Sequence, residues 1–319
     1  MRKAALLYNP DSGGSRRRRQ QELEYALALL RGAGVEADLV PTESRDHAGD
    51  QTRLAVASGC DTIFACGGDG TIHNIAQVLA TSPVALAILP MGTANALAHD
   101  LGLSLNVRAA AESALHAAPR RIALGCVKYA DLEGNPGRCY FVVAAGVGVD
   151  AHLFYKLHSG AKQRMGMAAY YAKAWNLWFT YPMPRFAAEF VETGSHQPRH
   201  ADLTELLSVR IGNFGGVVRE LAPGASLERD DMRMVLCHTA SRLAYLAYVA
   251  RGLLGRRWTI PGIDLVYGRK VSCQYLPPSA AGPPDQPRIY IEADGELIGT
   301  LPAEITVVPD ALTLLAPAR

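Results

Sequence analysis

No run of the sequence approaches the 18 or more unbroken apolar residues of a membrane-spanning helix. If the protein meets lipid at all, it is expected to do so from the aqueous side, as a cytoplasmic protein peripheral at a membrane surface would. No CxxC pair occurs, and none of the six cysteines, Cys60, Cys66, Cys126, Cys139, Cys237 and Cys273, is spaced with histidine as a metal site would be. Free buried thiols in a reducing compartment are the expectation. An excess of one charge is also missing. The chain has 32 Lys and Arg against 30 Asp and Glu, a formal net charge of +2, whereas a broad nucleic-acid surface needs a clustered positive field. The one dense basic run is Arg16-Arg17-Arg18-Arg19. The apolar run Ala4 to Leu7 is too short for the core of a signal peptide and lacks a small-residue cleavage site, so it reads as a first buried strand.

What is present is an ordinary core-forming composition, 49% hydrophobic and 19% charged over 319 residues, long enough for about two domains. The first half alternates strand and helix signals. Strands are expected at Lys3 to Tyr8, Glu36 to Val40, Asp61 to Ala65 and Val84 to Leu89, with helical patterns between them, such as Arg17 to Arg31 before Gly32 and Gly34. Repeated β–α units with continuously apolar strands mean a parallel sheet covered on both faces. After Ile122 the texture changes to short β segments at Leu124 to Tyr129, Cys139 to Ala144, Ala187 to Val191, Leu206 to Ile211, Met234 to His238, Leu265 to Tyr275, Arg288 to Ala293 and Ile305 to Val308. Gly, Pro or Asn turns separate most of them, the pattern of a β-sandwich-like domain. Two helical segments interrupt it, Asp150 to Tyr181 and Ser241 to Leu254. The first is rich in aromatic and basic residues and either docks on a membrane, lines an apolar groove or simply packs on the sandwich.

The strongest local signal is Cys66-Gly67-Gly68-Asp69-Gly70-Thr71-Ile72-His73-Asn74, directly behind the apolar run at Asp61 to Ala65. Glycines let the backbone approach a bulky anion, and the helix expected from Thr71 presents free N–H groups and the positive end of its dipole. Many such turns only close a β–α connection. Asp69 argues for more, because a carboxylate among phosphate-cradling amides repels phosphate unless a divalent cation intervenes or the acid handles a proton. Other loops leave strand ends on the same rim, where ligands of parallel sheets bind: Asn9 to Gly14, Thr42 and Gly92 to Asn95.

Six motifs in order give the chain its resemblance. They are Asn9-Pro10-Asp11-Ser12-Gly13-Gly14, Gly67 to Thr71, Leu89 to Ala98 around Gly92-Thr93-Ala94-Asn95, Gly146 to Ala151, Ala225 to Met234, and Asp294-Gly295-Glu296. The chain resembles the diacylglycerol kinase catalytic family, which includes bacterial lipid kinases and the sphingosine and ceramide kinases. The resemblance implies an α/β nucleotide-binding domain of the NAD kinase and phosphofructokinase type over residues 1–122, followed by a β-rich lipid-substrate domain over 123–303. Residues 304–319 are left as a C-terminal segment free to return to the first domain. It implies ATP contacts at Asn9, Ser12, Gly13, Thr42, Gly67, Gly68, Asp69, Gly70, Thr71, Ile72, His73, Gly92 and Thr93. It also implies a structural Mg²⁺ site with the Asp230 carboxylate and the Leu227 and Met232 carbonyls as oxygen ligands, although Arg229 and Asp231 depart from the family pattern. Ala96 departs too, standing where many members have Asp. Glu296 matches the residue that accepts the proton of the attacking hydroxyl, while an Asp-Gly hairpin is its plainer reading. Asp69 either holds catalytic Mg²⁺ or helps activate the hydroxyl. The implied activity is ATP-dependent transfer of the γ-phosphate to the hydroxyl of a lipid, diacylglycerol or a sphingoid base or ceramide. The alternatives are a soluble NAD-kinase-like phosphotransferase and a non-catalytic lipid or nucleotide binder; a homodimer is left open.

Overall fold

The structure is a computed structural model that describes residues 1–10, 15–42, 47–151, 180–215, 220–255, 258–276 and 287–317. Ser12, Gly13 and most of the Asp150 to Tyr181 segment lie outside the described residues. The chain divides into two compact units. One comprises Met1–Leu124, Ile211–Arg219 and Val308–Arg319, and the other Gly125–Arg210 and Glu220–Val307.

The first unit is built on strands β1 (Lys3–Tyr8), β2 (Glu36–Pro41), β3 (Thr62–Gly67) and β4 (Ala85–Pro90), all parallel, in the order β2-β1-β3-β4. The end of the chain's last strand, β14 (Glu296–Leu315), adds to β4, with Thr313 opposite Ala85 and Leu314 opposite Leu86. Every residue of β3 and β4 is buried. That is what a parallel strand covered on both faces requires, and it explains why neither run alternates in polarity. On one face, Ala4, Leu6, Phe64, Cys66, Ala87 and Leu89 pack against Leu23, Ala26 and Leu30 of α1 (Arg16–Gly32) and Val107, Ala110, Ala111 and Ala114 of α5 (Val107–His116). Helix α5 is not anticipated by the sequence reading. It is started by Asn106, whose side-chain oxygen accepts from the N–H groups of Arg108 and Ala109 at 3.0 and 3.3 Å. Helices α2 (His47–Ala57) and α3 (Asp69–Leu79) pack on each other, and a short α4 (Ala96–Asp100) follows β4.

The second unit holds β6 (Pro136–Phe141), β7 (Ala144–Gly148), β8 (Phe186–Glu192), β9 (Pro198–Leu203), β10 (Glu205–Val209), β11 (Met232–Cys237), β12 (Ile263–Tyr275), β13 (Tyr290–Ala293) and the later part of β5 (Pro119–Ala130). The pairings along its ladder β13-β7-β10-β11-β12-β8-β9 are antiparallel. Strand β14 pairs with β13 through Glu296 to Thr300 and with β12 through Ala303 to Thr306. It therefore crosses from one ladder to the other and closes a ring of β13, β7, β10, β11, β12 and β14. The enclosed core includes Phe141, Val147, Phe186, Phe190, Leu206, Met234, Leu236, Val271, Ile291 and Ile305. Each such side chain contributes about 1.5–3 kcal/mol on burial. Helix α6 (Arg242–Leu254) begins at the Ser241 cap and stops at Gly255, whose φ of +60° suits glycine. The expected class, a parallel α/β part and a β-sandwich part, is thus the one observed.

Candidate active site

In the first unit, β3 runs straight into α3 through Gly67 and Gly68. Gly68 is the N-cap and Asp69 the first helical residue, so α3 starts two residues earlier than its apolar pattern indicates. The N–H groups of Asp69 and Gly70 therefore have no acceptor inside the helix, while those of Thr71 and Ile72 bond back to the Gly68 carbonyl at 3.0 and 3.2 Å. The loop after β4 lies against this turn. Met91 donates its N–H to the Gly67 carbonyl at 3.0 Å, and a Cβ placed on Gly68 would sit 3.0 Å from the Gly92 Cα. Asn95 holds that second loop by accepting from the Gly92 N–H and donating to its carbonyl, both at 2.9 Å, in a left-handed conformation with φ of +51°. The two glycine turns are thus packed backbone to backbone. A Gly92→Ala substitution would drive its methyl into the Gly68 Cα. The expected result is loss of ATP binding by titration calorimetry, together with destabilisation of about 1–3 kcal/mol from overpacking.

Asp69 is half-buried, and its Oδ1 is 3.5 Å from the Leu97 N–H at the start of α4. One carboxylate is therefore bracketed by both glycine turns. Ile72 and His73 are buried in α3, and His73 lies beside Gln77. They are placed to support the turn from beneath, whereas Thr93 is exposed at the tip of the second loop. A cavity of about 420 Å³ opens beside Gly92 and Thr93, bounded also by Arg18, Arg19 and Glu22 of α1. Thr42 is buried, with both its N–H and its hydroxyl directed to the Tyr8 carbonyl at 2.8 and 3.3 Å, so it ties the end of β2 to β1. Of the arginine run, Arg16, Arg17 and Arg18 are exposed. Arg19 is buried and donates to the carbonyls of Asn9 and Pro10, fixing the turn that leaves β1.

In the second unit, Glu296 follows the two-residue loop Asp294-Gly295, with Ala293 and Glu296 paired across it. Both loop residues have positive φ, +50° and +82°, the geometry for which Asp-Gly is selected. The Asp294 carboxylate accepts three N–H groups, from Val142, Val143 and Ala144, at 3.0, 2.8 and 3.2 Å. Glu292 accepts the N–H of Gly295 at 2.7 Å. Two acids thus anchor the turn, and the half-buried Glu296 is presented from it.

At the implied structural metal site a positive charge is already in place. The Asp230 side chain is exposed, and the buried carboxylate is its neighbour Asp231. The Leu227 carbonyl faces Nη2 of Arg210 at 3.5 Å, and Nη1 of the same guanidinium donates to the Asp231 carbonyl. Arg210 is fully buried, and burial pushes its pKa down to about 10, which leaves it charged at neutral pH. Met232 opens β11 opposite Gly268. A guanidinium therefore already supplies positive charge to this turn, and a second cation there would be repelled. Chelation by EDTA is expected to leave the melting temperature of the nucleotide-free protein unchanged. Arg210→Ala should lower stability by about 3 kcal/mol or more, from a cavity and two unpaired buried carbonyls.

Three further acids emerge only in three dimensions. Asp100 accepts the N–H groups of Gly212 and Asn213 at 2.9 and 3.0 Å and so holds that stretch to the first unit, although it falls within the span expected for the β-rich domain. Glu205 is buried and accepts the N–H of the half-buried Asp150 at 3.2 Å. Burial raises the pKa of each, and Asp150 raises that of Glu205 further. The signal for Glu205 is one acid in an otherwise inward-facing apolar strand, which sequence spacing does not connect to Asp150.

A parallel α/β unit with paired glycine turns at its strand ends, joined in sequence to an antiparallel β-sandwich, defines a nucleotide-dependent phosphotransferase class. Comparison with known proteins agrees. The diacylglycerol kinase catalytic domain matches residues 3–127, and the YegS C-terminal NAD kinase beta sandwich-like domain matches residues 142–316. A diacylglycerol kinase of Bacillus subtilis (strain 168) is 27% identical over 310 residues, covering 95% of this chain and 93% of that one. A diacylglycerol kinase of Mycobacterium tuberculosis (strain ATCC 25618 / H37Rv) is 27% identical over 317 residues, covering 99% and 95%. The crystal structure of a diacylglycerol kinase from Bacillus anthracis str. Sterne has the same fold, with a TM-score of 0.69 at 16% identity over 99% of this chain and 97% of that one. The chain belongs to the bacterial diacylglycerol kinase, YegS-like lipid kinase family. It is a lipid kinase that uses ATP.

Proposed function

We propose that the lipid is diacylglycerol, or a sphingoid base or ceramide presenting an equivalent hydroxyl, taken from a membrane surface. The observation that carries the nucleotide half of this reading is the backbone packing of Gly67–Gly68 on Gly92 with Asp69 between them. ATP phosphates belong on these turns and the N-terminus of α3, with further contacts from Gly70, Thr71 and Thr93 and from the turn at Asn9. An anionic carboxylate at that point fits Mg²⁺ carried by ATP, and Asp69 is the residue that would face it; the ion spreads the charge of the transferring phosphoryl group. Glu296 takes the proton of the lipid hydroxyl. The hydroxyl oxygen forms a bond to the γ-phosphorus, the bond to the β–γ bridging oxygen breaks, and ADP leaves with that electron pair.

The test is transfer of labelled γ-phosphate to a panel of vesicle-borne lipids, with NAD as the soluble control. Label in a hydroxyl-bearing lipid and none in NAD is the expected result. Label in NAD alone would overturn the reading in favour of a soluble NAD-kinase-like enzyme. No helix among the described residues is long and apolar enough to cross a membrane.

A further inference from the structure

The second unit contains a cavity of about 750 Å³ formed by Arg233 of β11, Asp264 to Tyr267 of β12, Arg251 at the end of α6 and the segment from Trp258. Of the motifs above only Ala225 to Met234 touches it, through Arg233. Arg251 is only 4% exposed, yet its Nε and Nη2 have no hydrogen-bond partner, and the Nε of Arg233 has none either. Aromatic faces hold these cations in place of carboxylates. Arg251 lies 4.3 Å over Tyr248, and Arg233 lies 4.2 Å over Tyr267. The Tyr267 ring also carries Arg229 at 4.0 Å. Two guanidinium groups that close to one ring must take opposite faces. Arg229 is neutralised by Asp231, so it leaves Arg233 and Arg251 as the charges without an acid. The carboxylate in the cavity wall, Asp264, lies 3.2 Å from His238.

Buried, unpaired guanidinium donors are costly unless an anion reaches them, and their planar fork suits phosphate. The helix that supplies Arg251 indicates where the phosphate comes from. Leu243, Leu253 and Leu254 are 77%, 45% and 65% exposed, and Trp258 just beyond it is 41% exposed. Apolar side chains and an interfacial tryptophan beside a basic cavity are the two components of a helix that lies in a membrane interface.

We infer that α6 and this cavity form a membrane-docking surface, in which Arg233 and Arg251 hold the phosphate of an anionic phospholipid while Leu243, Leu253, Leu254 and Trp258 enter the acyl boundary. The inference rests on the reading that the substrate is a membrane lipid, and it adds a headgroup site separate from the glycine turns. The test is cosedimentation of the full chain with phosphatidylcholine vesicles, with and without phosphatidylglycerol. Binding should require phosphatidylglycerol, and Arg233→Gln with Arg251→Gln should weaken it by about ten-fold or more. Leu253→Ser with Leu254→Ser changes exposed residues only and should weaken it as well, so a folding defect from altering buried Arg251 does not decide the outcome. Equal binding to neutral vesicles, or binding unaffected by either double variant, overturns the inference. So does stabilisation by inorganic phosphate with no vesicle binding, which would assign the cavity to a free anion. Transfer to detergent-solubilised diacylglycerol is measured alongside. It should persist in both double variants, so a failure of docking and a failure of the kinase reading are distinguished.

Discussion

Asp69→Asn is expected to lower kcat for lipid phosphorylation by about 10²- to 10³-fold, the usual cost of removing one group that stabilises transition-state charge. The folded state should hardly register the change. Asparagine has the same shape and its amide oxygen still accepts the Leu97 N–H, while the charge lost at the positive end of α3 is worth about 0.3–1 kcal/mol. Loss of rate with a nearly unchanged melting temperature is therefore the signature. ATP affinity should separate the two roles left open for Asp69. A carboxylate that faces Mg²⁺ through the nucleotide makes the variant's ATP affinity, measured by titration calorimetry, fall in Mg²⁺ and stay level in EDTA. A carboxylate that only assists the hydroxyl leaves affinity untouched in both. Wild-type kcat in Asp69→Asn would remove Asp69 from the chemistry altogether.

Where local chemistry dictates local backbone, the sequence is an adequate guide. The run Thr62 to Gly67 has no polarity alternation because both faces are covered, and Asp294-Gly295 makes the tight hairpin its residue types favour. The helix at Ser241 to Leu254 is legible from its cap, its apolar spacing and its glycine stop. Strand β14 is not legible as one element. Pro302, Pro309 and Asp310 read as breakers, yet the strand continues through them because it changes partners, from β13 to β12 and then to β4. No local pattern encodes such exchanges.

The same limit applies to the site. The glycine turns and Asp69 announce themselves, since their function needs a backbone that only glycine permits. The surroundings of Leu227, Asp230 and Met232 are not legible from spacing, because they are set by Arg210, a residue 17 positions before Leu227. That guanidinium reaches the turn only after β10 and β11 have paired. Arg19 is a similar case. It belongs to the one dense basic run, but the packing of α1 selects it alone of the four for burial against the Asn9 and Pro10 carbonyls. Long polar side chains are committed by tertiary neighbours, and their roles become visible only when those neighbours are known.

Glu296→Gln is expected to reduce kcat by about 10²- to 10⁴-fold, the range for loss of a positioned general base, with little change in KM for ATP. The hairpin that presents Glu296 does not depend on its charge. Asp294 secures it through three backbone N–H groups and Glu292 through the Gly295 N–H. Melting temperature should accordingly stay at the wild-type value in Glu296→Gln. Asp294→Ala behaves differently, because it leaves the N–H groups of Val142, Val143 and Ala144 without their acceptor and should cost about 1–3 kcal/mol of stability. A proton acceptor and a positioning residue two positions apart are then told apart by which observable moves. If Glu296→Gln keeps most of the wild-type rate, the proton leaves by another route and the hairpin serves the fold alone.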